Sequence, residues 1–142
     1  MQSARKKVTG FTMIELLVVI TLLGLIAAIA LPSYGNYVKK TRRKDAQADL
    51  VNISNALERY YTANNTYATA TLGAAGIYPA ASPIDGNSKY YNLSISAATA
   101  TGYTLLATPT GAQVGNGRLQ LDSTGNKAWN TKDDGSGTDQ SW

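Results

Sequence analysis

The chain contains neither cysteine nor histidine among its 142 residues. Their absence excludes a disulfide framework, thiol catalysis and the usual zinc and haem sites. A fold outside the cytoplasm must therefore be held by packing and hydrogen bonds alone. Catalytic motifs are also lacking, because the sequence has no nucleophile elbow, phosphate-binding loop or zinc-protease motif. We expect a protein that is not an enzyme.

The net charge is small once the first ten residues are set aside. The whole chain carries +4, from 13 basic and 9 acidic residues. Three of the basic residues are Arg5, Lys6 and Lys7, so residues 11–142 contain ten basic and nine acidic residues. The excess of positive charge thus gives no general indication of nucleic-acid binding. We do not expect the isolated chain to bind nucleic acid.

A long apolar segment follows the basic residues. Phe11–Leu31 has 21 residues, of which only Glu15 is charged. As a helix it would extend about 32 Å, enough to cross the hydrocarbon core of a membrane. A cleaved secretory signal has an apolar stretch of only about 7–15 residues, followed by a small-residue cleavage site. We therefore favour a signal anchor that forms a transmembrane helix.

The helical pattern continues past this segment to about Asn64. Apolar residues recur at steps of three and four: Ala46, Leu50, Ile53, Leu57, Tyr60 and Tyr61. This period predicts an amphipathic helix that covers a sheet with one face. Pro32 lacks a backbone donor and, with Gly24 as a second weak point, predicts a kink in the helix.

The remainder of the chain predicts a small sheet. Residues 65–89 are rich in Ala, Thr, Gly, Pro and Ser and predict a connecting loop. The strand candidates that follow are Tyr90–Ser96, Tyr103–Thr108, Arg118–Asp122 and Asn126–Trp129. Three or four short strands joined by turns predict an antiparallel meander, which the amphipathic helix would cover. The fold class is α+β, with a polar C-terminal loop.

The start of the chain resembles the prepilins of type IV pili and the related pseudopilins of type II secretion. The matching stretch is Gly10-Phe11-Thr12-Met13-Ile14-Glu15, followed by the apolar run. The resemblance implies leader cleavage between Gly10 and Phe11, N-methylation of Phe11, and subunit assembly through Glu15 and Phe11. Glu15 would pair with the free amine of Phe11 in a neighbouring subunit. The alternative is a contact within one helix, one turn from its own N-terminus.

The order of elements resembles that of the PilE-like pilins, and the type IV pilin fold is implied. The implied segments are a leader peptide at 1–10, a transmembrane or filament-core helix at 11–34, and a globular headgroup at 35–142. Within the headgroup, the helix would continue to about residue 64, a loop would follow at 65–89, and the sheet and C-terminal loop would occupy 90–142. The apolar half of the helix would protrude. The helix near Gly24 and Pro32 would either simply kink or loosen during filament packing.

Two Cys usually close the C-terminal loop of PilE-like pilins. Asn116 and Ser141 stand at those positions in this chain. Another interaction must order the loop, or the loop is mobile. Oxygen-bearing side chains around Gly135 make a calcium site one hypothesis, with candidate ligands Asn130, Asp133, Asp134 and Asp139. The alternative is a flexible, solvated acidic loop, and no other cofactor is expected.

A basic cluster follows the apolar segment and has two interpretations. Its members are Lys39, Lys40, Arg42, Arg43 and Lys44. They form either a solvated collar near lipid head groups or an arm that contacts nucleic acid. In a filament this part of the helix would be packed between subunits, so we favour the collar.

The resemblance implies a structural subunit of a bacterial type IV pilus, also called a fimbrium. The subunit would be a major or a minor pilin. The filament would serve twitching motility, cell adhesion or DNA uptake in competence. Implied partners are copies of itself, other pilins, the prepilin peptidase and methyltransferase, the inner-membrane assembly platform and inner-membrane lipid. The precursor would lie in the inner membrane and the assembled, extracellular pilus on the cell surface. Alternatives are a type II secretion pseudopilin and an adhesive or DNA-binding minor tip pilin.

Overall fold

The computed structural model describes residues 10–142, so nine of the ten predicted leader residues lie outside the described chain. The chain forms two compact units, one that ends at Tyr37 and one that comprises Val38–Trp142. A single helix, α1 (Met13–Asn64), contributes to both units. We call the second unit the headgroup.

Helix α1 begins at Met13 because Thr12 caps it. The hydroxyl of Thr12 accepts the backbone N–H of Glu15 at 3.2 Å, and Thr-x-x-Glu is the sequence of a capping box. Every residue from Gly10 to Tyr37 is exposed. The helix is long and apolar enough to cross a membrane. It continues through Pro32, and the kink there stays a prediction.

Within the headgroup, α1 buries one face. Ala46, Leu50, Ile53 and Leu57 are completely buried, which confirms the predicted apolar stripe. The helix ends at Asn64, and Asn65 follows with a φ of 56°. Asparagine tolerates this left-handed conformation better than most residues, so it ends helices readily.

The sheet has six antiparallel strands in sequential order. They are β1 (Ala81–Ser82), β2 (Tyr91–Ala98), β3 (Tyr103–Pro109), β4 (Arg118–Asp122), β5 (Lys127–Asn130) and β6 (Asp139–Gln140). Strands β2–β5 confirm the four predicted strands. The prediction of only three or four strands was wrong, because β1 and β6 contain two residues each and are too short to show alternation.

Alternate residues of the central strands face α1. The buried ones are Tyr91, Leu93, Tyr103, Leu105, Ala107, Leu119 and Leu121. Leu105 of β3 lies opposite Leu121 of β4 and Ile95 of β2, so three strands present apolar side chains at one level of the sheet. These residues and the α1 stripe form one continuous core.

The turn between β4 and β5 is built by Asp122. Its Oδ1 accepts hydrogen bonds from the Thr124 hydroxyl at 2.6 Å and from the backbone N–H groups of Thr124 and Asn126 at 2.9 and 3.0 Å. The hydrogen bond from the Thr124 hydroxyl is the main reason that the pKa of Asp122 is lowered. Gly125 supplies the positive φ, 83°, that the turn requires.

Glu58 fastens the end of α1 to the rest of the headgroup. Its two carboxylate oxygens accept the Tyr67 hydroxyl at 3.1 and 3.0 Å, and Oε1 also accepts the Tyr103 hydroxyl at 3.3 Å. Burial, reinforced by this carboxylate, raises the pKa of Tyr67 to about 12. The hydroxyl therefore stays protonated and donates throughout the physiological pH range.

Replacing Leu50→Ala should lower the free energy of unfolding of residues 35–142 by about 2–5 kcal/mol, because it opens a cavity in the shared core. Denaturant unfolding measures the change. Val114→Ala is the control, since Val114 is 60% exposed. Equal effects of the two substitutions would contradict the assigned core.

Candidate functional site

The predicted cleavage junction lies just before the first turn of α1. Gly10 is exposed and not helical, and Phe11 is 83% exposed. A Cβ added to Gly10 would meet no atom within 4 Å. The described part of the chain therefore gives no packing reason for glycine at this position.

Glu15 lies in the exposed first turn of α1. Thr12 binds its backbone N–H, but among residues 10–142 the Glu15 carboxylate has no hydrogen-bond or ion-pair partner. The sequence analysis gave Thr12 no role of its own, although the Thr-x-x-Glu spacing identifies it as a cap. The cap fixes the residue at which the helix starts. It therefore also fixes the distance along the helix axis between Phe11 and Glu15.

The basic cluster divides into two groups. The Arg42 guanidinium lies 3.7 Å from the Tyr90 ring centroid, and that of Arg43 lies 3.8 Å from the Trp129 ring centroid. Such cation–π contacts are worth about 0.5–2 kcal/mol each. The prediction of a solvated collar was thus wrong for the two arginines. Arg42 binds the helix to the residue just before β2, and Arg43 binds it to β5. The three lysines of the cluster are exposed.

A buried amide joins α1 to the connection between β3 and β4. Nε2 of Gln113 donates to the Lys39 carbonyl at 2.8 Å and to the Tyr91 hydroxyl at 3.1 Å. Nδ2 of Asn116 donates to the same Lys39 carbonyl at 3.4 Å, and the Asn116 carbonyl accepts Nε1 of Trp129 at 2.9 Å. Asn116, at the first of the two cysteine positions, is therefore bound on both sides by hydrogen bonds.

Asp133 fastens the C-terminal loop to the same connection. Its Oδ2 accepts the backbone N–H of Gly115 at 2.6 Å, and its Oδ1 accepts that of Gly117 at 2.8 Å. Hydrogen bonds to a carboxylate are stronger than those between neutral groups. Gly117 has a φ of 82°, and an added Cβ would collide with the Asn130 carbonyl. Only glycine allows this close approach.

Asn130 orders the C-terminal loop from the inside. The two hydrogens of its Nδ2 are shared among three oxygens: the carbonyls of Gly135 and Gly137, both at 3.0 Å, and Oδ1 of Asp139 at 2.8 Å. Its Oδ1 accepts the backbone N–H groups of Lys132 at 3.0 Å and Gly137 at 2.9 Å. Two N–H groups directed at one atom identify that atom as the oxygen, so the orientation of the amide is fixed.

The chain end is also bound. Nε1 of Trp142 donates to the Ala128 carbonyl at 2.9 Å, and the Lys127 ammonium lies 5.0 Å from the Trp142 ring centroid. Arg118 donates to the Asp134 carbonyl at 3.1 Å. Together with β6, these contacts order the loop that two cysteines close in the PilE-like pilins.

The four calcium candidates take different positions in this network. The Asn130 amide nitrogen is hydrogen-bonded to three oxygens, one of which is Oδ1 of the candidate Asp139. Asp133 is directed at backbone N–H groups, and Asp134 accepts the Ser136 N–H at 2.8 Å. Over residues 10–142 no three Asp, Glu, His or Cys side chains gather to hold a metal ion. The geometry favours a loop ordered by hydrogen bonds, and calcium binding stays an untested hypothesis.

Two family models match the chain. Residues 5–31 match the prokaryotic N-terminal methylation motif. Residues 32–118 match a model described as type IV minor pilin ComP, DNA uptake sequence receptor.

Individual proteins also match. The fimbrial protein EcpC of Eikenella corrodens is 35% identical over 108 residues, which are 76% of this chain and 67% of that protein. The type II secretion system core protein G of Aeromonas hydrophila is 33% identical over 81 residues, which are 56% of this chain and 57% of that protein. The chain spans about half to two thirds of the length of the curated relatives that it matches.

A solved structure of the non-core minor pilin PilV of Neisseria meningitidis aligns with the chain at a TM-score of 0.49 and 22% sequence identity. The alignment covers 74% of this chain and 93% of that one.

Replacing Asp133→Ala should lower the free energy of unfolding of residues 35–142 by about 1–3 kcal/mol, because two backbone donors lose their acceptor. Amide hydrogen exchange at Gly115 and Gly117 should become faster. Asp85→Ala is the control, since Asp85 is exposed. Unchanged exchange at both glycines would show that Asp133 does not hold the loop.

Addition of millimolar calcium should leave the melting temperature of residues 35–142 unchanged, because the Asn130 amide already binds the converging oxygens. Thermal unfolding with calcium and with a chelator provides the measurement, and magnesium serves as the control ion. A calcium-specific rise that the chelator reverses would instead support the calcium-site hypothesis.

Proposed function

Because the chain belongs to the type IV minor pilin ComP family, we propose that it is a structural subunit of a bacterial type IV pilus, with no catalytic role of its own. The observation that carries this proposal is the exposure of every residue from Gly10 to Tyr37 in a segment that is almost wholly apolar. Apolar surface of this extent is unfavourable in water. The segment therefore requires a membrane before assembly and neighbouring helices afterwards.

Processing of the precursor is the first step of the proposed function. The prepilin peptidase and methyltransferase would cleave after Gly10 and methylate the new terminus at Phe11. The match of residues 5–31 to the methylation motif supports this step. The exposed, non-helical backbone at Gly10 supports it as well, because a peptidase needs an accessible, extended chain. Since no packing contact within residues 10–142 requires Gly10, we assign the requirement for glycine to the peptidase.

Assembly is the second step. After cleavage Phe11 carries a positive amine, and Glu15 is the only charged residue of the apolar segment. In a core of packed helices an unpaired carboxylate would cost several kcal/mol. Pairing Glu15 with the Phe11 amine of a neighbouring subunit removes that cost and sets the axial register of the two helices.

The proposed partners follow from these steps. The precursor would lie in the inner membrane and contact its lipid and the assembly platform, and the assembled pilus would lie on the cell surface and bind other pilins. Separate ATPases would supply the energy. A pseudopilin of type II secretion is the alternative that the match to core protein G favours. As a pseudopilin, the chain would assemble through the same helix and by the same pairing of Glu15 with Phe11.

DNA capture during competence is a second candidate function, favoured by the family description of a DNA uptake sequence receptor. Few basic side chains of the sheet and its adjoining loops are free to contact DNA. Lys89 donates to the carbonyls of Pro83 and Ile84 at 2.7 and 2.8 Å, and Arg118 and Lys127 have the contacts given above. Lys132 is exposed, and within the described chain its ammonium has no hydrogen bond or ring contact, although its charge acts on the Asp134 carboxylate. It is the residue we assign to phosphate contact.

Replacing Glu15→Ala should leave leader cleavage intact and reduce the amount of this chain in sheared filaments by about tenfold or more, because the amine loses its buried partner. Immunoblots of membrane and filament fractions measure both effects. Thr21→Ala is the control in the same segment. Wild-type incorporation of the Glu15 variant would refute the register role.

Replacing Lys132→Ala should weaken the retention of duplex DNA by filaments that contain this chain. One lost phosphate contact reduces the salt slope of binding by about one. Arg59→Ala, at an exposed position on α1, is the control. Equal DNA retention by filaments that lack the chain would exclude DNA capture by this subunit.

A further inference from the structure

One Asn-Gly pair occurs in the sequence, Asn116-Gly117, and it lies in the connection between β3 and β4. In such a pair the backbone nitrogen of the glycine can attack the side-chain amide carbon of the asparagine. Glycine has no side chain to hinder the approach, and its backbone adopts conformations that other residues rarely reach. The attack is therefore faster in Asn-Gly than in other asparagine pairs. In an unfolded chain, Asn116 is the asparagine most susceptible to deamidation.

The deamidation reaction needs only the chain itself and water. A bond forms between the Gly117 nitrogen and Cγ of Asn116, the bond between Cγ and Nδ2 breaks, and Nδ2 leaves as ammonia with the Gly117 proton. Water then opens the resulting five-membered ring. Opening at one carbonyl gives aspartate. Opening at the other gives isoaspartate, in which the main chain runs through the former side chain and is one carbon longer.

The structure restrains both reacting groups. The Gly117 N–H donates to Oδ1 of Asp133 at 2.8 Å, and the Asn116 carbonyl accepts Nε1 of Trp129 at 2.9 Å. The peptide that joins the two residues is thus held at its nitrogen and at its oxygen. The Asn116 side chain donates to the Lys39 carbonyl at 3.4 Å. Since the attacking nitrogen and the amide carbon are fixed to different neighbours, they approach each other only after these hydrogen bonds break.

We propose that Asn116-Gly117 is a self-modification site that Asp133 protects in the folded headgroup. When the C-terminal loop opens, Asp133 withdraws from the Gly117 N–H, and the ring can form. Deamidation then makes an otherwise reversible opening of the loop permanent. The inference does not depend on the proposed function, because all the groups involved lie within the headgroup.

Isoaspartate is the product that keeps the loop open. It lengthens the main chain between Gly115 and Gly117. At Gly117 an added Cβ would already collide with the Asn130 carbonyl and lie against Nε1 of Trp129, so the longer chain has no room there. Asp133 accepts the N–H groups of both glycines with its two oxygens. This arrangement depends on the spacing of the glycines, and the longer chain does not preserve it.

Asp133 could in principle have the opposite role, that of a base. A carboxylate that removes the Gly117 proton would speed the attack. In the structure, however, the second oxygen of Asp133 accepts the Gly115 N–H at 2.6 Å. Because each oxygen binds one backbone N–H, the carboxylate holds the Gly117 nitrogen in place on the side of the loop. We therefore commit to protection, and removal of Asp133 distinguishes the two roles.

The test uses the full-length chain in detergent micelles. Peptide mass spectrometry follows the conversion of each asparagine to the acid, with Asn87 as the internal reference, since Asn87 is exposed and precedes Ser88. In denaturant, Asn116 should deamidate about tenfold or more faster than Asn87. In the folded chain it should be the slower of the two, because the reaction then requires local opening. Faster reaction at Asn116 than at Asn87 in the folded chain would overturn the proposal.

Two variants remove one restraint each. Asp133→Ala should raise the deamidation rate of Asn116 in the folded chain about tenfold or more, because the loop opens more often. Trp129→Phe loses the Nε1 donor but keeps an aromatic ring, and it should raise the rate without a change at Asp133. Asp85→Ala, at an exposed position, is the control. An unchanged rate in both variants would overturn the proposal, and so would a slower rate in Asp133→Ala, which would identify the carboxylate as a base.

The isoaspartate form, separated from aged protein by chromatography, tests whether the opening is permanent. Its amide exchange at Gly115 should be about tenfold or more faster than in the unmodified chain, because Asp133 no longer bridges the two glycines. Asn116→Asp is the matched control, since it carries the new charge without the longer main chain, and its Gly115 should exchange more slowly than that of the isoaspartate form. Exchange at the unmodified rate in the isoaspartate form would overturn the proposal.

Discussion

The packing of one face of α1 against the sheet is the interaction on which the rest of the headgroup depends. Leu50, Ile53 and Leu57 supply the helix side and Tyr91 and Leu105 the sheet side, all completely buried. This packing brings the arginines to their aromatic partners and Glu58 to two tyrosines. The same helix is exposed at every residue before Val38. The apolar pattern changes along α1, from apolar on all sides to apolar on one face. This change separates the exposed apolar segment from the part of the helix that buries its apolar face in the headgroup core.

The C-terminal loop shows how a chain without cysteine closes a loop that a disulfide closes in similar pilins. A carboxylate, Asp133, bridges two backbone amides, and a buried amide, Asn130, binds five backbone and side-chain groups. A covalent bond constrains the unfolded chain, whereas this network acts only in the folded state. Its stability therefore depends on the fit of each neighbour, above all on Gly117.

Sequence reasoning predicted the elements that have a clear period. The stripe from Ala46 to Leu57 and strands β2–β5 follow from steps of 3.6 and 2 residues, whereas β1 and β6 are too short to show either. The stacking of Arg43 on Trp129 could not be predicted, because spacing along a helix does not identify the aromatic side chain opposite it. The hydrogen bonds by which Asn130 orders the C-terminal loop could not be predicted either, since most of its partners are backbone groups. The capping role of Thr12 could have been predicted from the sequence, because Thr-x-x-Glu is typical of a helix start.

The most direct test of the central claim is the intact mass of this chain in filaments sheared from the cell surface. The account predicts a species that begins at Phe11 and is one methyl group heavier than the unmodified chain. That mass would show that the exposed apolar segment of α1 enters a filament after cleavage at Gly10. An uncut chain, or a processed chain that stays in the cell envelope and is missing from surface filaments, would contradict the account.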